Sequence, residues 1–203
     1  GVEAGKTISE LQKLLAKKGM VLPVNPWYPG STLGGMVSAN VCGPNRMDMG
    51  GLRDFLIGIE YINGTGERVH AGGKVVKNVT GYDLTRMMIG HLGGLGLITS
   101  VNFKVQPLPV EPHGIYLETK GTEWRETVEK LRHRRIPLDW IQAVSSKPKG
   151  NGFLLGLGFS GNTERRGRIS SEINATFGGT PFMLPDGEMS TVWPCLPGQS
   201  RFR

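Results

Sequence analysis

Cysteine is scarce. Cys42 and Cys195 are the only two in 203 residues, and no Cys-x-x-Cys pair or Cys/His cluster exists. That argues against a disulfide framework and a structural zinc site, and fits a reducing, cytoplasmic compartment. Histidine is sparse as well: His70, His91, His113 and His133 show no metal spacing, so no metal is expected. No stretch approaches 18 apolar residues, and no membrane-spanning helix is expected. The first residues lack the basic-then-apolar pattern of a secretory leader. Repeats and low-complexity tracts are missing. Basic and aromatic residues do not interleave, so nucleic acid is not an expected partner.

Glycine is what the chain has in excess, 31 of 203 residues, about twice ordinary usage. With no repeat to absorb it, glycine must lie in ordered turns. The stretch from Lys74 to Val105 organises the rest. Lys77 to Tyr82 is a polar turn, and Asp83 to Ile89 a short helix with Asp83 in its first turn. Gly90 to Gly96 holds four glycines, and Leu97 to Val105 alternates like a strand. Glycine has no Cβ, so its backbone can touch a ligand. Upstream, Pro29 to Gly35 is a second glycine-rich stretch that could form an opposite wall. His91 alone among the histidines adjoins the later turn, and a catalytic role for it is not expected.

Net charge is +7 and uneven: residues 120–168 carry 11 basic and 5 acidic groups, residues 1–119 carry 11 and 9. The basic excess therefore lies away from the glycine-rich stretches. It is read as a solvated face, with an anionic substrate or acidic partner subunit as the alternatives.

In chain order, Gly1 to Gly5 ends a strand. Thr7 with Glu10 forms a capping box for a helix over Ile8–Lys18, with Ile8, Leu11, Leu14 and Leu15 as its apolar face and Gly19 as its stop. Met20 to Val24 is a short strand. Ser31 or Thr32 caps a short helix running towards Asn40, whose first N–H groups would face an anion or a carbonyl. Gly50 to Asp54 is a turn. Phe55–Ile62 and Glu67–His70 are strands joined by a hairpin at Asn63–Gly66. Pro107 to Pro112 is a rigid linker and a domain boundary. Beyond it follow a strand (Gly114–Thr119), a helix (Thr122–Arg134), strands at Leu138–Val144 and Phe153–Phe159, and a helix (Thr163–Phe177). This order suits an α+β unit with its helices on one side of an antiparallel sheet. The tail from Pro181 carries no assignable structure.

Five segments taken together resemble a known family. They are Thr32-Leu33-Gly34-Gly35, Gly43-Pro44-Asn45-Arg46, Arg53-Asp54-Phe55, Lys77 to Asp83, and Leu95-Gly96-Leu97-Ile98-Thr99. Their order and spacing resemble the FAD-binding fold of the vanillyl-alcohol oxidase and p-cresol methylhydroxylase group. Within it they are most similar to the FAD-binding subunits of bacterial glycolate oxidases. The resemblance is strong over residues 1–112, weak over 113 to about 180, and ends in the tail.

The resemblance implies an α+β fold with an FAD-binding domain at 1–112 and a partial α+β cap domain at 113–203. It implies FAD as cofactor, with Thr32, Gly34, Gly35, Ser38, Asn40, Gly43, Arg46, Gly96 and Ile98 at cofactor positions. It implies oxidation of a small 2-hydroxy acid such as glycolate by hydride transfer to flavin. The implied partners are a second flavoprotein subunit and an iron–sulfur subunit, through which the cytoplasmic protein would sit beside the inner face of the membrane. No catalytic residue is assigned. The family's N-terminal subdomain has no counterpart ahead of Gly1, the C-terminal part of its substrate domain is missing or replaced, and Gly94 stands where Thr or Ser is usual. The chain is therefore expected to be truncated, and a non-catalytic assembly subunit is the alternative. If both glycine stretches line the flavin, they should face each other across one cleft. Gly35→Val or Gly96→Val should then lower flavin occupancy and spare the sheet.

Overall fold

A computed structural model describes residues 1–24, 26, 28, 30–73, 83–108, 113–145, 152–178 and 180–183. These residues form two compact units, one running to Leu108 and the other made up of the described residues from His113 onward. Lys77 to Tyr82, Cys195 and the tail beyond Met183 lie outside the described residues.

The first unit begins with strand β1 (Val2–Glu3) and helix α1 (Ile8–Ala16). Thr7 caps α1 in a full capping box: Glu10 donates its N–H to the Thr7 hydroxyl, and the Glu10 carboxylate accepts the Thr7 N–H at 2.7 Å. The helix ends two residues before the expected Lys18. Its last turn tightens, with Gly19 N–H donating to Ala16, and Gly19 turns the chain at φ +65°. One expected core residue changes places. Leu14 is 49% exposed, whereas Gln12 is buried at 3%. Gln12 is needed inside because it bonds both the N–H and the carbonyl of Leu22. Only Met20–Val21 of the expected strand pairs, as β2, and Gln12 holds Leu22 beyond it.

Helix α2 (Leu33–Ala39) follows, capped by Thr32 and closed by Asn40 in the left-handed region at φ 53°. Two one-turn helices come next, α3 (Arg46–Met49) and α4 (Leu52–Phe55). The sequence predicts a turn where α4 lies. Asp54 makes the difference by accepting the Gly51 N–H at 2.8 Å.

Strands β3 (Leu56–Ile62) and β4 (Arg68–Gly72) form the expected hairpin, in which the Asn63 side chain accepts the N–H groups of Thr65 and Glu67. Helix α5 (Leu84–Met87) is capped by Asp83, then come β5 (Leu97–Phe103) and β6 (Gln106–Pro107). The main sheet has the antiparallel order β1-β5-β3-β4, and β2 pairs with β6. Its core includes Ile8, Leu33, Val37, Phe55, Ile59, Met88 and Val101, all at 2% exposure or less. Each such side chain contributes about 1.5–3 kcal/mol on burial.

The second unit contains β7 (His113–Lys120), α6 (Glu123–His133), β8 (Trp140–Ser145), β9 (Gly152–Phe159), α7 (Thr163–Phe177) and β10 (Thr180–Met183). Its sheet is antiparallel in the order β10-β7-β9-β8. Ile115, Leu117, Leu155, Leu157 and Phe159 alternate along β7 and β9 and share one core with Leu131 of α6 and Ile169 and Ile173 of α7. Period-two alternation thus puts both helices on one face, as the sequence order suggested. β10 was not anticipated. Its Pro181 has no N–H to donate, which an edge strand tolerates and an inner strand does not.

Candidate functional site

Helix α2 and the Gly90–Gly96 turn are tied together in the first unit. Gly90 donates its N–H to the Val37 carbonyl at 3.0 Å, and Leu92 donates to the Ser38 carbonyl at 2.9 Å. The turn therefore closes the C-terminal end of α2, satisfying the Ser38 carbonyl and adding a second donor at Val37, which also accepts the Asn40 N–H at 3.1 Å. The other end of α2 rests on the loop after β1. Leu33 donates to the Lys6 carbonyl, Gly34 to the Ala4 carbonyl at 2.9 Å, and Gly35 to the Thr32 hydroxyl. Two of these first N–H groups face carbonyls and the third a hydroxyl, all of the same chain, so none of the three is left to hold a phosphate.

The residues beside the two glycine stretches touch one another. Gly34 packs directly on the sheet: a Cβ there would stand 2.9 Å from the Ala4 Cβ and 3.6 Å from the Ile98 Cβ. Ile98 is buried, at 9% exposure, in the same core. Gly96 has φ +149°, and a Cβ on it would run into the Ile62 carbonyl. Gly34, Gly96 and Ile98 thus join α2 to β5 and β5 to β3.

Gly35 and Gly93 differ. Gly35 is exposed and a Cβ there would meet only the Thr32 hydroxyl, at 2.9 Å; at Gly93 it would meet nothing within 4 Å. Thr32, Gly35, Ser38 and Ala39 share the outer side of α2, with Asn40 exposed at its end. This is bare backbone that no part of the described chain fills. Gly43 turns the chain at φ 87° just after α2, and Arg46 is exposed on α3.

Two residues at the turn were not assigned by the sequence reading. Leu92 has φ 52° and is 79% exposed, a left-handed conformation costly for leucine. His91 accepts at Nδ1 the N–H groups of Gly93 at 3.1 Å and Leu95 at 3.4 Å, and burial pushes its pKa down. Gly-His-Leu-Gly carries no sequence signal for either feature; both depend on how the turn folds. Among the described residues, no group of three or more His, Cys, Asp or Glu side chains could hold a metal, and no helix is long and apolar enough to cross a membrane.

Comparison with known families matches residues 1–72 to the FAD binding domain. This part of the chain belongs to that FAD-binding family. The chain is 41% identical over 139 residues to glycolate oxidase subunit GlcE of Escherichia coli (strain K12), which covers 68% of this chain and 40% of the relative. It is 35% identical over 109 residues to glycolate oxidase subunit GlcD of Bacillus subtilis (strain 168), covering 53% and 23%. It is 30% identical over 104 residues to D-lactate dehydrogenase of Archaeoglobus fulgidus, covering 51% and 24%. The chain thus spans well under half the length of these relatives. Among solved structures, an alkyldihydroxyacetonephosphate synthase matches with TM-score 0.72 and 19% identity over 96% of this chain and 41% of that one. The mixed helix and sheet of the FAD-binding domain is the fold that the motifs implied. The outward glycine backbone at Gly35 and Gly93 fits a flat, extended cofactor, which needs close backbone approach.

Proposed function

We propose that the chain is part of the FAD-binding subunit of a flavin-dependent 2-hydroxy-acid oxidase of the glycolate oxidase kind. One observation carries this reading. The match to the glycolate oxidase subunit GlcE runs 139 residues, longer than the first unit at 122 (residues 1–108 and 190–203), and so includes residues of the second. The matches to GlcD and to D-lactate dehydrogenase, at 109 and 104 residues, are about as long as the stretch from Gly1 to Leu108.

The FAD-binding domain is placed at 1–112 and a cap domain from 113. Bound flavin would supply the acceptor for the hydride from the substrate's α-carbon, and electrons would pass on to another subunit. The chain's own part is to bind and orient. Thr32, Gly35, Ser38 and Asn40 offer the outer side of α2, with Gly43 and Arg46 beyond its end. Gly34, Gly96 and Ile98 support that surface from beneath by fixing α2 on β5. A small 2-hydroxy acid is the substrate, and a second flavoprotein subunit and an iron–sulfur subunit are the partners. The protein would reach the inner face of a membrane through them.

A second reading, a non-catalytic assembly subunit, is favoured by the N-terminal N–H groups of α2, which the chain's own carbonyl and hydroxyl oxygens occupy. The full-length protein separates the two. Its purified spectrum should carry the flavin bands, and glycolate or D-lactate should bleach them. Protein without flavin that still assembles with its partners would favour the second reading. Bound flavin that neither acid reduces would remove the substrate class alone.

A further inference from the structure

His91 stands between the two hydrogen bonds that join the glycine turn to α2, those of Gly90 to Val37 and of Leu92 to Ser38. Its ring then does the work that a side chain must do inside a turn rich in glycine. Nδ1 accepts the Gly93 N–H at 3.1 Å and the Leu95 N–H at 3.4 Å. A nitrogen that accepts carries no proton, so the proton is on Nε2. Nε2 is shut off from solvent and has no hydrogen-bond partner. An unpaired buried donor, a left-handed leucine at Leu92 and an open glycine at Gly93 therefore meet in one turn. Such local costs cluster where backbone is held for a function.

We infer that His91 is a positioning residue for the flavin: its Nδ1 fixes the Gly93–Leu95 backbone in the form that the cofactor meets. This rests on the flavin reading above and adds a control to that site. A second proton on the ring would occupy Nδ1 and turn it towards two N–H donors. Both hydrogen bonds would be lost, and the turn would be free to leave its flavin-facing form.

The direction with pH follows from the surroundings of the ring. Helix α2, hydrogen-bonded to the turn, has no titratable residue, and Tyr61 and Ile62 of β3 lie against Gly96. Arg86 of α5 is paired with Asp83 at 3.2 Å. Burial, with no charged neighbour contributing, holds the ring below its usual pKa. A lowered His pKa means that the bonded, neutral form is complete above about pH 6.5. It is lost as pH falls through the lowered value.

The test uses the full-length protein. Flavin affinity is measured by fluorescence between about pH 7.5 and 5.5 for the wild type, His91→Asn and His91→Ala. Asparagine keeps an acceptor that does not titrate. The wild type should weaken up to about tenfold per unit of pH once below the ring's pKa. His91→Asn should keep its affinity across the range, and His91→Ala should be weak throughout. In parallel, ¹⁵N NMR of the flavin-free protein at neutral pH should find Nδ1 bare and Nε2 protonated. Equal pH profiles for wild type and His91→Asn, full affinity in His91→Ala, or a proton on Nδ1 would each overturn the role. Wild-type protein that binds no flavin at any pH would remove the flavin reading and this role with it. The ring signals would still report whether Nδ1 holds the turn, so the two failures are distinct.

Discussion

Gly34 lies on Ala4 so closely that a methyl group on Gly34 would stand 2.9 Å from the Ala4 Cβ and 3.4 Å from its carbonyl oxygen. Its neighbour Gly35 points outward. The two should respond oppositely to one added carbon. Gly34→Ala forces α2 off the sheet and is expected to cost about 1–3 kcal/mol, with or without flavin. In Gly35→Ala the gain in helix propensity, about 0.5–1 kcal/mol, offsets a disturbed Thr32 cap of about 0.5–2 kcal/mol. Stability should change little while flavin affinity falls. Urea unfolding of the flavin-free protein, paired with flavin titration, reads both. Unchanged affinity in Gly35→Ala would mean that the outer side of α2 does not meet the cofactor.

Gly96 belongs with Gly34. Its φ of +149° and the Ile62 carbonyl leave no room for a Cβ. Gly96→Val is thus expected to break the β3–β5 pairing near Ile62 and Leu97, the opposite of the flavin loss with an intact sheet that the sequence suggested. Amide hydrogen exchange should show lost protection at Ile62 and Ile98. Gly93→Val, at an open position, should keep that protection, with only its positive φ of 86° as a penalty. Native protection in Gly96→Val would refute this account.

These two glycines mark where sequence reading stops. It located the glycine-rich stretches but had no means of separating a glycine that packs on its own chain from one that stays bare. That difference lies in tertiary neighbours such as Ala4 and Ile62. The same limit explains α1. Thr7 and Glu10 mark its start locally, so the cap was legible, whereas Leu14 fits the apolar face by spacing and is nevertheless outside. The inside position goes to Gln12, because the backbone of Leu22 there needs hydrogen bonds that leucine lacks. The one-turn helices at Arg46–Met49 and Leu52–Phe55 are too short for any periodicity to register. By contrast α7, long enough for four turns, was read at its observed bounds.

Gln12 gives a direct measure of that buried polar contact. It satisfies the N–H and the carbonyl of Leu22 together. Gln12→Leu leaves the Leu22 N–H unpaired in the core, at about 1–3 kcal/mol, while the Leu22 carbonyl keeps the Val24 N–H at 2.7 Å. The apolar gain should not recover this, so thermal unfolding should move down by several degrees. A Gln12→Leu protein as stable as wild type would show that Leu22 finds other partners.

In the second unit, Gly158 and Gly167 make the final contrast. Gly158 faces Trp140 so closely that a Cβ would run into the indole, and Trp140 is buried at 7% exposure. The ring cannot lie where it does unless residue 158 is glycine. Gly158→Ala should therefore lift the indole, shift its fluorescence to the red and cost about 1–3 kcal/mol. Gly167 is exposed within α7, with nothing within 4 Å of its Cβ position. Only the freedom of the unfolded chain favours glycine's absence there, so Gly167→Ala should stabilise by about 0.5–1 kcal/mol. The expected order in urea is Gly167→Ala above wild type above Gly158→Ala. Emission should move only in the last, and Trp140→Phe should abolish that movement. If Gly158→Ala leaves emission and stability unchanged, the indole does not occupy the glycine's empty side.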